Sequence, residues 1–202
     1  MNKLIKTFSE IGKKDATIAG GKGASLGEMT KAKFPIPPGF VITAQAFDRF
    51  LEETDLAQEI GAALKKIKKD DINSVQSASE KIRDMISDAE FPKDIAFEID
   101  RAHKKMKAGL VAVRSSATAE DSSIASWAGE LESYLDVTII NLLDSVKKCW
   151  SSLFTPRAIF YRYEKNLRDQ KVSVAVVVQK MVQSEVSGIV FTVHPVTKDR
   201  NQ

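Results

Sequence analysis

A single arginine, Arg114, follows the apolar run Leu110–Val113 and precedes a stretch rich in small, hydroxyl-bearing and acidic residues. Arginine presents a rigid fork of N–H donors that matches a phosphate or a carboxylate. The residues therefore leave two interpretations open: an arginine that binds an anion, or a structural arginine that pairs with Glu120 or Asp121. The stretch that follows is predicted to be a loop able to cover a polyphosphate, because its residues are too small and polar to form a core.

A second cation, Lys22, lies within the glycine-rich stretch Gly20–Gly23, which opens a predicted helix with Leu26, Met29 and Thr30 on one face. Backbone N–H groups at a helix start attract anions, and glycines allow a close approach. The spacing is not that of a P-loop, in which the lysine is followed by serine or threonine. Lys22 is therefore either a phosphate ligand or a solvated lysine on a flexible turn.

Four further side chains are of types that could do chemistry. Gln179 ends an apolar strand, where its amide would read the edge of a base or bond a neighbouring loop. Cys149 is predicted to be a buried small hydrophobe. His103 is predicted on a polar helix surface and His194 at the end of a strand, and neither is predicted to be catalytic. Their separation gives no zinc-type cluster.

The composition bounds the function classes. The 202 residues are 43% hydrophobic, which is enough to bury a core. The net charge of +3 and the interleaving of lysines with acids argue against a nucleic-acid-binding protein. One cysteine indicates a reducing compartment, and no run approaches 18 apolar residues. We expect a cytoplasmic protein that binds neither nucleic acid nor a membrane.

The hydrophobic periodicity predicts an α+β fold, with a weakly signalled internal boundary near residue 109. Helices are predicted at residues 44–53, 55–67, 71–89, 92–107, 139–152 and 156–166. Strands are predicted at Phe40–Thr43 and Leu110–Val113, at 130–137 with Leu131, Ser133 and Leu135 on one side, and at 172–182, followed by a hairpin or neighbouring strand at 184–193.

Seven blocks of the sequence together resemble a known family: GGKGASLGEM, PIPPGFVITAQAF, VAVRSSATAED, SWAGELESYLDV, CWSSLFTPRAIFYR, VVVQKMV and SGIVFTVHPVT. In this order they resemble the N-terminal nucleotide-binding region of the phosphoenolpyruvate synthase and pyruvate phosphate dikinase family, which also contains rifampicin phosphotransferase. Phosphoenolpyruvate synthase is the member they resemble most. The resemblance runs from about residue 14 to residue 197, and residues 52–107 contribute little to it.

The resemblance implies an ATP-grasp-like domain, in which two α+β lobes close on ATP, with ATP and Mg²⁺ as cofactors. It implies that Lys22 and Arg114 hold the ATP phosphates and that Gly129 and Ser133 line the nucleotide cleft. The family commonly has threonine at the position of Ser133, so the hydroxyl is kept. Gln179 is expected near the adenine. No residue of this chain is expected to bind a metal or to be catalytic.

The resemblance also implies a reaction for the full-length protein, which would make phosphoenolpyruvate, AMP and phosphate from ATP, pyruvate and water through a phosphohistidine. A Gly-Leu-Gly-Glu segment, the phosphohistidine domain and the pyruvate-binding barrel of the family are not found in residues 1–202. We therefore expect a truncated, incomplete N-terminal ATP-binding region, inactive alone and binding ATP weakly at most. An exposed sheet edge could pair two copies into a homodimer.

Three alternatives remain open on the sequence. The chain could be the ATP-binding part of rifampicin phosphotransferase or of pyruvate phosphate dikinase, since the resemblance places both in the same group. It could instead be a non-catalytic nucleotide-binding module, which would fold tightly without ATP.

Overall fold

A computed structural model describes residues 3–68, 71–118, 131–165, 167, 173–191, 193–194 and 196–199. These residues form one five-stranded antiparallel sheet and seven α-helices, which confirms the α+β prediction. The predicted site residue Gly129 lies outside the described residues.

The strands and helices have the following bounds. The strands are β1 (Ile5–Thr7), β2 (Gly39–Ile42), β3 (Val111–Ala117), β4 (Ser133–Val137) and β5 (Val174–Lys180). The α-helices are α1 (Ala16–Lys31), α2 (Ala44–Glu53), α3 (Leu56–Lys65), α4 (Ile72–Asp88), α5 (Lys93–Met106), α6 (Leu142–Ser151) and α7 (Pro156–Glu164). Each predicted helix between residues 44 and 166 is confirmed to within a few residues.

The strand order is β1-β2-β5-β3-β4, so β5 is the central strand. β5 pairs with β2 on one side and along its whole length with β3 on the other, from Val174 opposite Ala117 to Lys180 opposite Val111. Both faces of β5 are covered, and residues Val174–Val178 are buried without alternation. A strand buried on both faces reads as a continuous apolar run, which is why this sequence predicted it so clearly.

One face of the sheet, the helical face, is covered by α2–α7 with large side chains. Trp150 of α6 is fully buried, and its ring lies 5.4 Å from Phe47, 4.9 Å from Phe50 and 5.2 Å from Phe91, measured between ring centroids. Cys149 beside it is also fully buried, as predicted. Each such aromatic side chain buries about 150–250 Å² of surface.

The opposite face, the α1 face, is covered mainly by α1 with small side chains. Of the predicted helix face formed by Leu26, Met29 and Thr30, Leu26 packs against this core, whereas Met29 is exposed. The buried residues of α1 are alanines and glycines, Ala19, Gly20, Gly23, Ala24 and Gly27. A Cβ atom at Gly27 would lie 2.5 Å from the Ile11 carbonyl oxygen, so the helix backbone itself packs against the chain before it.

The strand that carries Arg114 is longer than predicted. β3 continues through Ser115 and Ser116 to Ala117, and both serines are buried, so the prediction that these residues begin a polar loop is wrong. Ser115 tolerates burial because its hydroxyl donates to the Glu132 carbonyl oxygen at 2.8 Å.

The alternation predicted for residues 131–136 is interrupted in β4. Asp136 has φ 54, and the pairing register of β3 and β4 shifts between Val111 and Val113. This irregularity places Tyr134 and Val137 toward the helical face and leaves Leu135 exposed.

Three other predictions about local structure are wrong. The described residues of 184–193 form no strand, and Val186, Ile189 and Val190 are exposed, so β5 has no hairpin partner there. His103 is buried on α5 rather than on a helix surface, and His194 is outside any strand. Among the described residues, no helix combines the length and apolar character needed to cross a membrane.

Candidate functional site

The described candidate side chains on β3 and β5 belong to the same face of the sheet. Side chains alternate along a strand, and the valines at 113, 176 and 178 belong to the helical-face core. Arg114 and Gln179 therefore project on the α1 face, where Val177 packs with residues of α1. The sheet thus brings together two residues that are 65 positions apart in the sequence.

Arg114 is half-buried and lies opposite Val177 on β5 and Ser133 on β4. Within the described ranges, no carboxylate forms an ion pair with its guanidinium. The interpretation in which it pairs with Glu120 or Asp121 concerns residues outside that description. A partly desolvated guanidinium is a strong ligand for phosphate oxygens.

Lys22 is positioned by a turn inside α1. Gly20 has φ 67 and ψ 171, so the helix is interrupted there and resumes with Gly21. This conformation is essentially restricted to glycine. The result confirms that the glycine-rich stretch opens a helical segment, and it places Lys22 in the first turn of that segment, where backbone N–H groups lack helical partners.

The Gly20 turn rests directly on the strand that carries Arg114. A Cβ at Gly20 would lie 2.2 Å from the Ser116 Oγ and 2.5 Å from the Ser116 carbonyl oxygen. Ser116 and Arg114 are two residues apart on β3 and share a face, which separates them by about 7 Å along the strand. The segment with Lys22 and the strand with Arg114 are therefore in direct backbone contact.

The Cys149 thiol is buried beside β3. Burial raises its pKa to about 12, although the hydrogen bond with Ser115 opposes that rise. The Cys149 Sγ lies 3.7 Å from the Val113 carbonyl oxygen, next to Arg114 in the chain. This thiol is therefore protonated at neutral pH and is not a nucleophile.

Ser133 is exposed on β4, directly across from Arg114. It also borders an open cavity of about 770 Å³ between α4, α6 and β4, whose lining includes Arg83, Glu132 and Lys148. Arg83 and Glu132 approach to 3.8 Å there. The cavity therefore carries charges of both signs, and Ser133 is the predicted site residue that lines it.

Gln179 is half-buried, and its side-chain amide donates to the Pro37 carbonyl oxygen at 3.1 Å. It lies opposite Gly39 on β2 and Ala112 on β3, one row of the sheet away from Arg114. The prediction that Gln179 bonds a neighbouring loop is thus confirmed. Contact with an adenine stays a prediction.

Sequence reasoning missed Ser116, which touches the Lys22 turn. The signal that could have found it is strand length. If the predicted strand had continued past Arg114, the alternation of side chains would have placed Ser116 on the same face as Arg114. In the part of the chain that the structure describes, no three histidine, cysteine, aspartate or glutamate side chains cluster in a way that could hold a metal ion.

Comparison with protein families gives the decisive observation. Residues 16–202 match the model of the pyruvate phosphate dikinase AMP/ATP-binding domain. The chain belongs to this family. The match contains every residue of the predicted site, from the Gly20 turn to Gln179.

Curated relatives share this relationship at substantial identity. The chain is 45% identical over 204 residues to a probable phosphoenolpyruvate synthase of Methanothermobacter thermautotrophicus, covering 98% of this chain and 30% of that protein. It is 46% identical over 199 residues to one of Archaeoglobus fulgidus, covering 96% and 26%. It is 40% identical over 239 residues to the phosphoenolpyruvate synthase of Pyrococcus furiosus, covering 99% and 29%. The chain thus spans less than a third of the length of these relatives.

Proposed function

We propose that this chain is the ATP-binding part of a phosphoenolpyruvate synthase, an enzyme that makes phosphoenolpyruvate, AMP and phosphate from ATP, pyruvate and water. The family match and the names of the relatives support this proposal. The described sheet and helices would form one lobe of an ATP-grasp-like domain in a cytoplasmic enzyme. Pyruvate would be bound elsewhere in such an enzyme.

One structural observation carries the proposal. The helical segment with Lys22 rests on the strand with Arg114, and no described carboxylate pairs with that arginine. The contact between these two elements supports an anion that both cations would bind. A polyphosphate satisfies this arrangement better than a single carboxylate, because it spreads several charges along its length.

The proposed roles rest on the chemistry of these side chains. Arg114 would offer two parallel N–H donors to one phosphate, and Lys22 would add a positive charge at the helix start. Phosphoryl transfer depends on positioning and on neutralising charge, so these two side chains would hold the phosphates in line for a phosphate-accepting histidine. Ser133 would add a hydroxyl, Gly129 would line the cleft, and Gln179 would lie toward the adenine.

Mg²⁺ is implied by the resemblance, yet the described residues do not offer it a ligand set. Hard cations such as Mg²⁺ take carboxylate oxygens together with substrate phosphates. No step is therefore assigned to a metal ligand of this chain, and Mg²⁺ is supplied with the nucleotide in the experiment below.

A homodimer is part of the same proposal. Among the described strands, β4 pairs with β3 alone, so its other edge can accept a strand from a second copy. Light scattering at increasing protein concentration tests this: a mass of about twice 22.3 kDa supports a dimer.

The test of nucleotide binding is a titration of the ¹⁵N-labelled chain with Mg·ATP to millimolar concentration. We expect weak but saturable shifts at Gly20–Gly23 and at Arg114. Arg114→Ala should weaken binding about 10- to 100-fold, the value of a charge-assisted hydrogen bond. Because adenosine has no phosphate, Arg114→Ala should bind it with the same affinity as the parent protein does.

The matched control is Arg83→Ala, which removes a half-exposed arginine from the cavity beside α4. It should leave ATP binding unchanged. Shifts confined to that cavity, or ATP binding that is equally strong in the parent and in Arg114→Ala, would contradict the proposal.

A further inference from the structure

Ser116 is fully buried on β3, and its hydroxyl faces α1. The Gly23 backbone N–H donates to the Ser116 Oγ at 3.4 Å. The absent side chain of Gly20 lets the same hydroxyl and the Ser116 backbone lie against the turn. One serine therefore touches Gly20, two residues before Lys22, and Gly23, directly after it.

These contacts resemble those of a helix N-cap. The segment that resumes after Gly20 has Gly21, Lys22 and Gly23 as its first three residues. A helix normally takes a hydrogen bond to its second or third N–H from the side chain of the residue before it. Gly20 holds that preceding position and has no side chain to offer. Ser116, 93 residues further along the chain, supplies the oxygen instead.

We propose that Ser116 is a positioning residue that caps the helical segment carrying Lys22 and fixes it relative to Arg114. The backbone on both sides of Lys22 is then tied to β3, and Arg114 projects from the same face two residues away. The consequence for ATP rests on the function proposed above, whereas the capping itself does not.

The residue type fits this role. The Ser116 hydroxyl fills the space that a side chain at Gly20 would need, and both partners are buried. A buried N–H without a hydrogen-bond partner destabilises the folded state. Removal of the Ser116 hydroxyl leaves the Gly23 N–H without that partner. The segment should then open locally more often while the rest of the sheet keeps its pairing.

Ser116→Ala is the test variant, and Ser115→Ala is its matched control. Both serines are buried neighbours on β3, but the Ser115 hydroxyl bonds the Glu132 carbonyl oxygen on the opposite side of the strand. In Ser116→Ala we expect amide hydrogen exchange at Gly23 to accelerate about five- to tenfold, as for a lost cap. Exchange at Val176 and Val178 of β5 should stay unchanged. Ser115→Ala should not accelerate Gly23 selectively.

The same variants separate the two proposals. Ser116→Ala should weaken Mg·ATP binding about fivefold or more, with no further loss when Lys22 is already alanine, because Ser116 acts through Lys22. Unchanged exchange at Gly23 would overturn the capping role, as would a uniform acceleration that includes β5. If the parent itself binds no ATP, the proposed function fails, and the exchange at Gly23 still decides the role of Ser116.

Discussion

The two faces of the central sheet are packed by opposite means. On the helical face, Trp150, Phe47 and Phe50 fill a wide gap between helices and strands with aromatic rings. On the α1 face, glycines let the helix backbone come into contact with the strand backbone. Large side chains bury apolar area, whereas close backbone approach fixes the distance between particular residues. The helical face therefore buries large apolar side chains, whereas the α1 face sets how closely the segment with Lys22 approaches the strand with Arg114.

Trp150→Ala tests whether the helical face stabilises the fold, and it has the largest expected effect. We expect the free energy of unfolding to fall by about 3–5 kcal/mol, because the change leaves a cavity against three phenyl rings. Urea unfolding followed by circular dichroism measures it. Ile140→Ala, at a side chain that is 86% exposed, is the control and should change stability by less than about 0.5 kcal/mol. Equal losses in the two variants would contradict a stabilising role for the helical face.

Gly20→Ala tests the α1 face. The new Cβ would meet the Ser116 backbone at 2.5 Å, in a conformation that disfavours alanine, so we expect a loss of about 2–4 kcal/mol. Gly61→Ala is the matched control, because nothing lies within 4 Å of its Cβ. In the interior of α3 it should stabilise by about 0.5–1 kcal/mol. Thermal unfolding of both variants gives the comparison, and a harmless Gly20→Ala would refute the close approach.

A smaller effect is expected from pH at the buried His103. Burial lowers the pKa of this imidazole below its ordinary value of 6.5, although the nearby Asp100 opposes the shift. The unfolded chain therefore binds a proton more readily, so stability should be complete above pH 6.5 and should decline as the pH falls below it. His103→Gln should flatten this decline in urea midpoints measured between pH 7.5 and 5. If the urea midpoint depends on pH equally in the parent protein and in the variant, protonation of His103 is not the cause of the decline.

The smallest effect concerns the exposed carboxylate of Glu10, next to the α1 face. The Lys3 ammonium at 2.5 Å and the Thr7 N–H at 2.9 Å lower its pKa from 4.5 to about 2. The stability that the ionised Glu10 contributes is present above pH 4.5 and is lost as the pH falls toward 2. Glu10→Gln should cost about 0.2–1 kcal/mol at pH 7, the range for exposed pairs, and nothing near pH 2. Melting temperatures at both pH values check it, and added salt should shrink the difference.

The predictable part of the fold comes from residues whose pattern is local. Helix α7 begins at residue 156, as predicted, because the Thr155 hydroxyl accepts the Ala158 N–H at 3.1 Å within one turn. β5 was predictable because a run of valines fits a strand that is covered on both faces. Arg114, Lys22 and Gln179 were singled out by residue type and neighbours, and their chemical roles stay predictions.

Other features depended on partners that are distant in sequence. Residues 184–193 have strand-like composition, but the described residues among them pair with no strand, since pairing requires a second edge. His103 looked like a surface residue because its neighbours in sequence are charged, yet the turn of α5 directs it inward.

The sequence by itself determined helices α2–α7, the buried central strand and the residue types of the candidate site, because these follow from periodicity and side-chain chemistry. Only the tertiary structure decided that Ser116 belongs to β3 and that it meets Gly20 and, 93 residues away, Gly23. It also decided that α1 packs through alanines and glycines rather than through large apolar residues. Contact between a strand and a helix depends on residues that are distant in sequence, which no local pattern specifies. The role of a glycine in such a contact is apparent only when the residue that packs against it is known.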